Sequence, residues 1–96
     1  MKRTKETDRL FQAILSLKEL DECYRLFEDL CTVKETEAMA QRLQVAEQLR
    51  AGNNYNQVSE DTGASSATIS RVNKCLLYGS GGYELVLNRL SFDEVE

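Results

Sequence analysis

Apolar residues recur at spacings of three and four along almost the whole chain, and no proline interrupts them. That period gathers them on one face of each of a series of helices; a half-buried strand would need strict alternation, which the sequence nowhere sustains. The chain therefore reads as all-α. Leu10, Ala13, Ile14, Leu17 and Leu20, with Phe11 beside them, mark a first helix over 8–20. Cys23, Leu26, Phe27 and Leu30 mark a second over 22–31. Thr32 followed by Glu35 is a capping box, in which the hydroxyl and the carboxylate each take one backbone N–H. It opens a long helix to Ala51, and Gly52 suits its C-terminal end.

Downstream, the punctuation is denser. Asn54 can cap a short helix that Gly63 ends, and Ser65 can cap the next, which runs to about Tyr78. Gly79-Ser80-Gly81-Gly82 is a loop or hinge, Tyr83 to Leu90 is a last helix, and an acidic tail over 91–96 is expected to fray. About six helices in 96 residues make a single domain, 1–96. A chain this short closes only a marginal core alone, which leaves room for dimerisation.

The stretch YNQVSEDTGASSATISRVNK, within 55–77, has the layout of a helix-turn-helix: two short helices joined by a tight turn holding a glycine. Val58, Ile69 and Val72 are placed to pack together and fix the crossing. On the second helix, Ile69, Val72 and Leu76 share one side, while Ala67, Ser70, Arg71 and Lys74 fall on the opposite side. Small residues let a helix approach the major groove, hydroxyls bond base edges, and Arg and Lys hold phosphates. The bland alternative is a packing unit with a solvated polar face.

Net charge is −4, which by itself opposes binding to duplex DNA. Its distribution is uneven. Residues 18–61 carry five basic and ten acidic side chains, whereas 62–83 carry Arg71 and Lys74 and no acid. Lys2, Arg3, Lys5 and Arg9, set against Glu6 and Asp8, form a second basic cluster.

Arg42 falls inside the apolar stripe of the long helix, among Met39, Leu43, Ala46 and Leu49. A buried charge needs a partner. Glu35, Glu47, a helix C-terminal carbonyl or a bound anion would serve; a rim position with the head in water is the remaining reading.

Thr32-x-x-Glu35-x-x-Ala38-Met39-x-x-Arg42, followed by Gly63-Ala64-x-x-Ala67-Thr68-Ile69-Ser70-Arg71, resembles the tryptophan repressor superfamily, and the short chain with its YGSGGY segment is most similar to the YerC/YecD-type branch. The resemblance spans about residues 8–90. It implies an intertwined all-helical homodimer, with 8–51 as dimerisation helices and two recognition helices entering successive major grooves. It places Asn56, Ser66, Ala67 and Ser70 at base-reading positions, to which the helix reading adds Ser65, Arg71 and Lys74. It also implies a small-ligand pocket involving Thr32, Arg42, Thr68 and Arg71. Against tryptophan as that ligand stand Val72 where the family has a glycine, Cys75 for a serine, and Asp29 and Cys31 for leucines.

Other classes fare worse. There is no histidine, so the commonest acid–base group is missing, and the three cysteines have no partner base. GSGG lacks the Lys-Ser/Thr of a phosphate loop. Catalysis and a resident cofactor or metal are not expected. Cys23, Cys31 and Cys75 lack CxxC spacing and read as reduced, mostly buried thiols. No apolar run nears the roughly 20 residues that span a bilayer, and the first ten residues lack the apolar core of a secretory signal, so a cytoplasmic protein is expected. The resulting expectation is a DNA-binding transcriptional regulator, a repressor acting as a homodimer on a palindromic operator, with either a small-ligand effector other than tryptophan or none. The alternative is a helix-turn-helix module that docks on another protein.

Overall fold

The computed structural model describes residues 1–95 and is all-helical, with six helices and no strand among the described residues. They are α1 Lys5–Leu15, α2 Leu20–Leu30, α3 Val33–Arg50, α4 Tyr55–Thr62, α5 Ser66–Tyr78 and α6 Gly82–Val95. The chain divides into two compact units, Met1–Thr36 and Glu37–Glu96.

The N-terminal unit is built from amphipathic helices with no closed core. Neither α1 nor α2 has a buried residue. Leu10, Ile14, Leu17, Leu26 and Phe27 are half-buried, while Leu15, Leu20 and Tyr24 are largely exposed. The helix starts are set by side chains. Thr4 and Thr7 form a reciprocal box at the head of α1: Thr7 N donates to Thr4 Oγ1 and Thr4 N to Thr7 Oγ1, each at 3.0 Å. This start precedes the expected one because a threonine, rather than Glu or Gln, fills the return position of the box. The expected single periodic stretch over 8–20 is interrupted. Ser16 Oγ donates to Ala13 O at 2.6 Å, closing α1, and Lys18 N donates to Glu22 Oε1 at 2.7 Å ahead of α2. Leu17 and Leu20 keep their helical spacing but fall in the joint and at the start of α2.

The Thr32–Glu35 capping box is formed, with Thr32 N donating to Glu35 Oε1 at 2.9 Å and Glu35 N to Thr32 Oγ1 at 3.1 Å. The Thr32 backbone N–H, and after it the Thr32 hydroxyl, hold the Glu35 carboxyl below its ordinary range.

The second unit has a small dry core of Val45, Ala46, Val58, Ala64, Ile69, Val72 and Leu87, with Leu43, Leu49, Leu76 and Tyr83 packed against it. Four helices contribute, so α3, α4, α5 and α6 meet at one centre. α3 ends as expected at Gly52, whose φ of +96° only glycine adopts at little cost. Gly52 N donates to Leu49 O and Asn53 N to Gln48 O, the double bond pattern of a Schellman stop. At the far end of the unit, Arg50 Nη1 donates to Asn88 Oδ1 at 2.8 Å, tying α3 to α6.

Two expectations need correction. α6 runs Gly82–Val95, longer than the expected 83–90, so the segment expected to fray is helical as far as Val95, and Glu96 lies outside the described residues. The thiols are free but not mostly buried: Cys75 is exposed, and Cys23 and Cys31 are half-buried. Cys75 is three residues from Val72 but a third of a turn off the buried stripe of α5, and α2 has nothing in its own unit to cover its apolar face fully.

Candidate nucleic-acid interface

α4 and α5 form a tightly wired head. Asn54 Oδ1 accepts from Gln57 N at 2.9 Å, which starts α4. Gly63, at φ +73°, ends it with its own N–H on Ser59 O at 2.9 Å. Ser65 Oγ accepts from Thr68 N at 3.2 Å and starts α5. The connection is therefore only three residues long. Val58, Ile69 and Val72 are each at most 1% exposed and lie in one cluster, the packing expected from their spacing.

The turn itself is held by polar side chains. Thr62 Oγ1 donates to Val58 O at 2.7 Å and accepts from Ala64 N at 3.1 Å. Ser59 Oγ donates to Ala64 O at 3.1 Å. Gln41 Nε2, from α3, donates to Thr62 O at 3.1 Å, so a last-turn carbonyl of α4 is capped from a neighbouring helix. None of this wiring was anticipated from the sequence. A hydroxyl bonding back to the carbonyl four residues earlier is a local habit of threonine that could have been suspected at Thr62. Gln41 offers no such signal, because its partner is 21 residues away.

With Ile69 and Val72 buried, the opposite side of α5 is presented to solvent. Ser66, Ala67, Ser70, Arg71 and Lys74 are all exposed, as is the cap Ser65. No acidic residue lies in α5. Its N-terminal end carries the positive pole of the helix dipole, which favours a phosphate. Asn56 is exposed in the first turn of α4. It shares a face with Glu60, one turn on, so a carboxylate stands behind it. The electrostatically clean surface is thus α5 rather than α4.

The residues expected at a ligand pocket are distributed over both units. Thr32 belongs to the N-terminal unit and its hydroxyl is occupied by the cap of α3. In the second unit, Thr68 is half-buried and its Oγ1 accepts from Ser65 Oγ at 3.1 Å; Arg71 is exposed. Arg42 is half-buried. Glu35, one of its expected partners, is engaged with Thr32 instead. Among the described residues the one buried side-chain polar atom without a partner is Gln48 Oε1. Val72 occupies the core. Cys75 sits on a shallow apolar groove with Leu43, Tyr83, Val86 and the Gly79–Gly82 turn. No group of three or more potential metal ligands occurs among the described residues. No described helix is long and apolar enough to cross a membrane.

Comparison with known proteins gives a consistent answer. The family model described as Trp repressor protein matches residues 5–91. The protein YerC of Bacillus subtilis (strain 168) is 56% identical over 94 residues, covering 98% of this chain and 90% of that protein. The crystal structure of a TrpR like protein from Eubacterium eligens ATCC 27750 superposes with a TM-score of 0.90 at 53% identity, over 93% of this chain and 92% of that one. A Staphylococcus aureus protein of known structure also gives a TM-score of 0.90, at 45% identity, over 93% and 89% of the two chains.

Proposed function

The chain belongs to the Trp repressor protein family, and from that premise we propose that it is a sequence-specific, double-stranded-DNA-binding transcriptional regulator, a repressor acting as a homodimer on a palindromic operator. The observation that carries this reading is the outward face of α5. It combines a small residue (Ala67), a hydroxyl (Ser70) and two cations (Arg71, Lys74), with no carboxylate, on a helix whose other side anchors the core. Ser70 and Ala67 take the base-edge role, with Ser65, Ser66 and Asn56 beside them. Arg71 and Lys74 take the phosphate role.

The homodimer is supported by the apolar faces of α1 and α2, none of whose residues is fully buried. A two-fold pair of heads reads two half-sites about 34–36 Å apart, one turn of DNA. Arg42 and Arg71 are the cations that a small anionic effector would meet. Tryptophan itself is not proposed.

The test is fluorescence anisotropy on a duplex from the gene's own upstream region against a scrambled duplex, at low and moderate salt. Preferential binding that weakens steeply with salt supports the reading. Equal binding to both places the operator elsewhere and calls for selection from genomic DNA. No binding to either duplex at low salt overturns it in favour of a protein-docking module.

A further inference from the structure

We propose that Ala67 reads the 5-methyl group of a thymine in each half-site of the operator; this rests on the DNA-binding reading above and names the base that it recognises. A recognition helix meets base edges with its N-terminal residues. In α5 the first turn is Ser66, Ala67, Thr68 and Ile69. None of these carries a guanidinium, an ammonium or an amide, the groups that bond guanine or adenine in two places. Ile69 is buried in the core and Thr68 is half-buried. The Ser65 hydroxyl, just ahead of the helix, is already engaged: it accepts from Thr68 N at 3.2 Å and donates its proton to Thr68 Oγ1 at 3.1 Å. Ser66 and Ala67 are left, both exposed.

Their angles on the helix separate the two. At about 100° per residue, Ala67 falls roughly 160° from Ile69, and Ser66 roughly 60°. With Ile69 and Val72 buried, Ala67 is the first-turn residue aimed most directly away from the core. Its side chain is a single methyl group, fixed by the backbone, with no rotamer freedom to lose. A methyl offers a base edge no hydrogen bond. Facing the acceptors of guanine, or the amino group of adenine or cytosine, it would leave them dry and unpaired, which costs affinity. The 5-methyl of thymine is the apolar group that a base pair shows in the major groove, so the thymine of an A·T pair is what Ala67 accepts without loss. Ser66 and Ser70 can each donate or accept, and so fix no base by themselves. Arg71 and Lys74, four and seven residues beyond Ala67, continue the same outward line in the phosphate role.

The experiment uses the full-length protein. Duplexes bound at moderate salt are selected from a random pool, and each thymine of the preferred duplex is then replaced in turn by deoxyuridine, which removes the 5-methyl and nothing else. Anisotropy titration is expected to find a thymine in each half-site whose replacement weakens binding about fourfold, the worth of one buried methyl group. The same replacement should cost the A67G variant nothing. Ala67→Ser puts a hydroxyl against the methyl and should bind the deoxyuridine duplex at least as well as the thymine one, which gives an equal test if glycine loosens the helix. An equal loss in the parent and in both variants would assign the methyl to another residue and overturn the proposal. A preferred duplex in which no thymine responds would overturn it and leave the DNA reading standing. Binding without any preferred sequence would overturn it together with sequence-specific recognition. A parent that binds no duplex at low salt would overturn the whole DNA reading.

Discussion

Gln41 Nε2 donates to the main-chain oxygen of Thr62 across 3.1 Å, joining α3 to the last turn of α4. This bond fixes the turn of the helix-turn-helix from outside it. Losing a neutral hydrogen bond of this kind costs on the order of 1 kcal/mol. Gln41→Glu keeps the shape and removes the donor. The expected outcome is a lower ratio of affinities for specific over scrambled duplex, with little change in the salt slope. Gln41→Arg, which restores a donor, should recover part of the ratio. If Gln41→Glu lowers the melting temperature alone and leaves the ratio intact well below it, the bond is purely structural.

Substitutions on α5 separate the two kinds of contact. Arg71→Ala should weaken all duplexes alike and reduce the salt slope by about 1 per protomer. Ser70→Glu or Ala67→Glu places a carboxylate against the groove and should abolish binding altogether. Anisotropy titrations at three salt concentrations measure both effects. Unchanged binding in the Ser70 and Ala67 variants would rule out this face.

Glu60 lies one helical turn beyond Asn56 on the exposed side of α4. Its carboxylate opposes any phosphate approaching that face. Glu60→Gln is expected to raise affinity by about threefold at low salt, with the gain fading as salt screens it. A loss of affinity would mean that Glu60 accepts a hydrogen bond from a base, so that α4 reads sequence too.

The Glu35 carboxyl is held below its ordinary range by the Thr32 N–H and hydroxyl. A carboxylate with a depressed folded pKa binds fewer protons in the native state than in the unfolded chain. Its contribution to stability is therefore complete above the ordinary value near 4.5 and is lost as pH falls through the lower folded value. Thr32→Ala should lower the melting temperature by about 4 °C near neutral pH and shrink the loss between there and strong acid. Glu35→Gln should flatten that acid limb while keeping the cap, since an amide oxygen can accept the same bond. Thermal melts between pH 7 and pH 3, on the order of one unit apart, give the comparison.

Gly79, which ends α5, and Gly82, which opens α6, differ in what surrounds them. A Cβ at Gly79 would collide with the backbone carbonyl of Cys75, which cannot swing away as a side chain could; at Gly82 it would meet open space. Gly79→Ala should destabilise by about 1–3 kcal/mol, and Gly82→Ala should stay within about 0.5 kcal/mol of the parent. Chemical denaturation of the two variants side by side checks it.

Much of the local architecture could be read from the residues because it is decided locally. Thr32 with Glu35, Asn54 with Gln57, Ser65, Gly52 and Gly63 each mark a helix end within four residues of where the bond forms. The buried trio Val58, Ile69 and Val72 followed from spacing alone. The features that escaped depend on partners far away or on weaker variants of a motif. Thr7 does the work usually given to Glu in a capping box, so the start of α1 was placed too late. The helical spacing of Leu17 and Leu20 continued through a joint made by Ser16 and Glu22. Cysteine's apolar character suggested burial for Cys75, although its angle on α5 put it off the core side. Gln41 was invisible because nothing in its own helix hints at Thr62.

In the first thirty-six residues, no side chain of α1 or α2 is fully buried, and Leu15 and Leu20 remain 82% and 75% exposed. Such helices have no reason to hold their shape in isolation, since most helical stability comes from packing an apolar face. If a second copy supplies that packing, folding of the N-terminal unit and assembly become one event, and mass action governs both. The number of copies in the cell then acts as an input in its own right. A diluted chain would lose the ordered form of its N-terminal unit before any effector intervened, and the regulator would report on its own abundance.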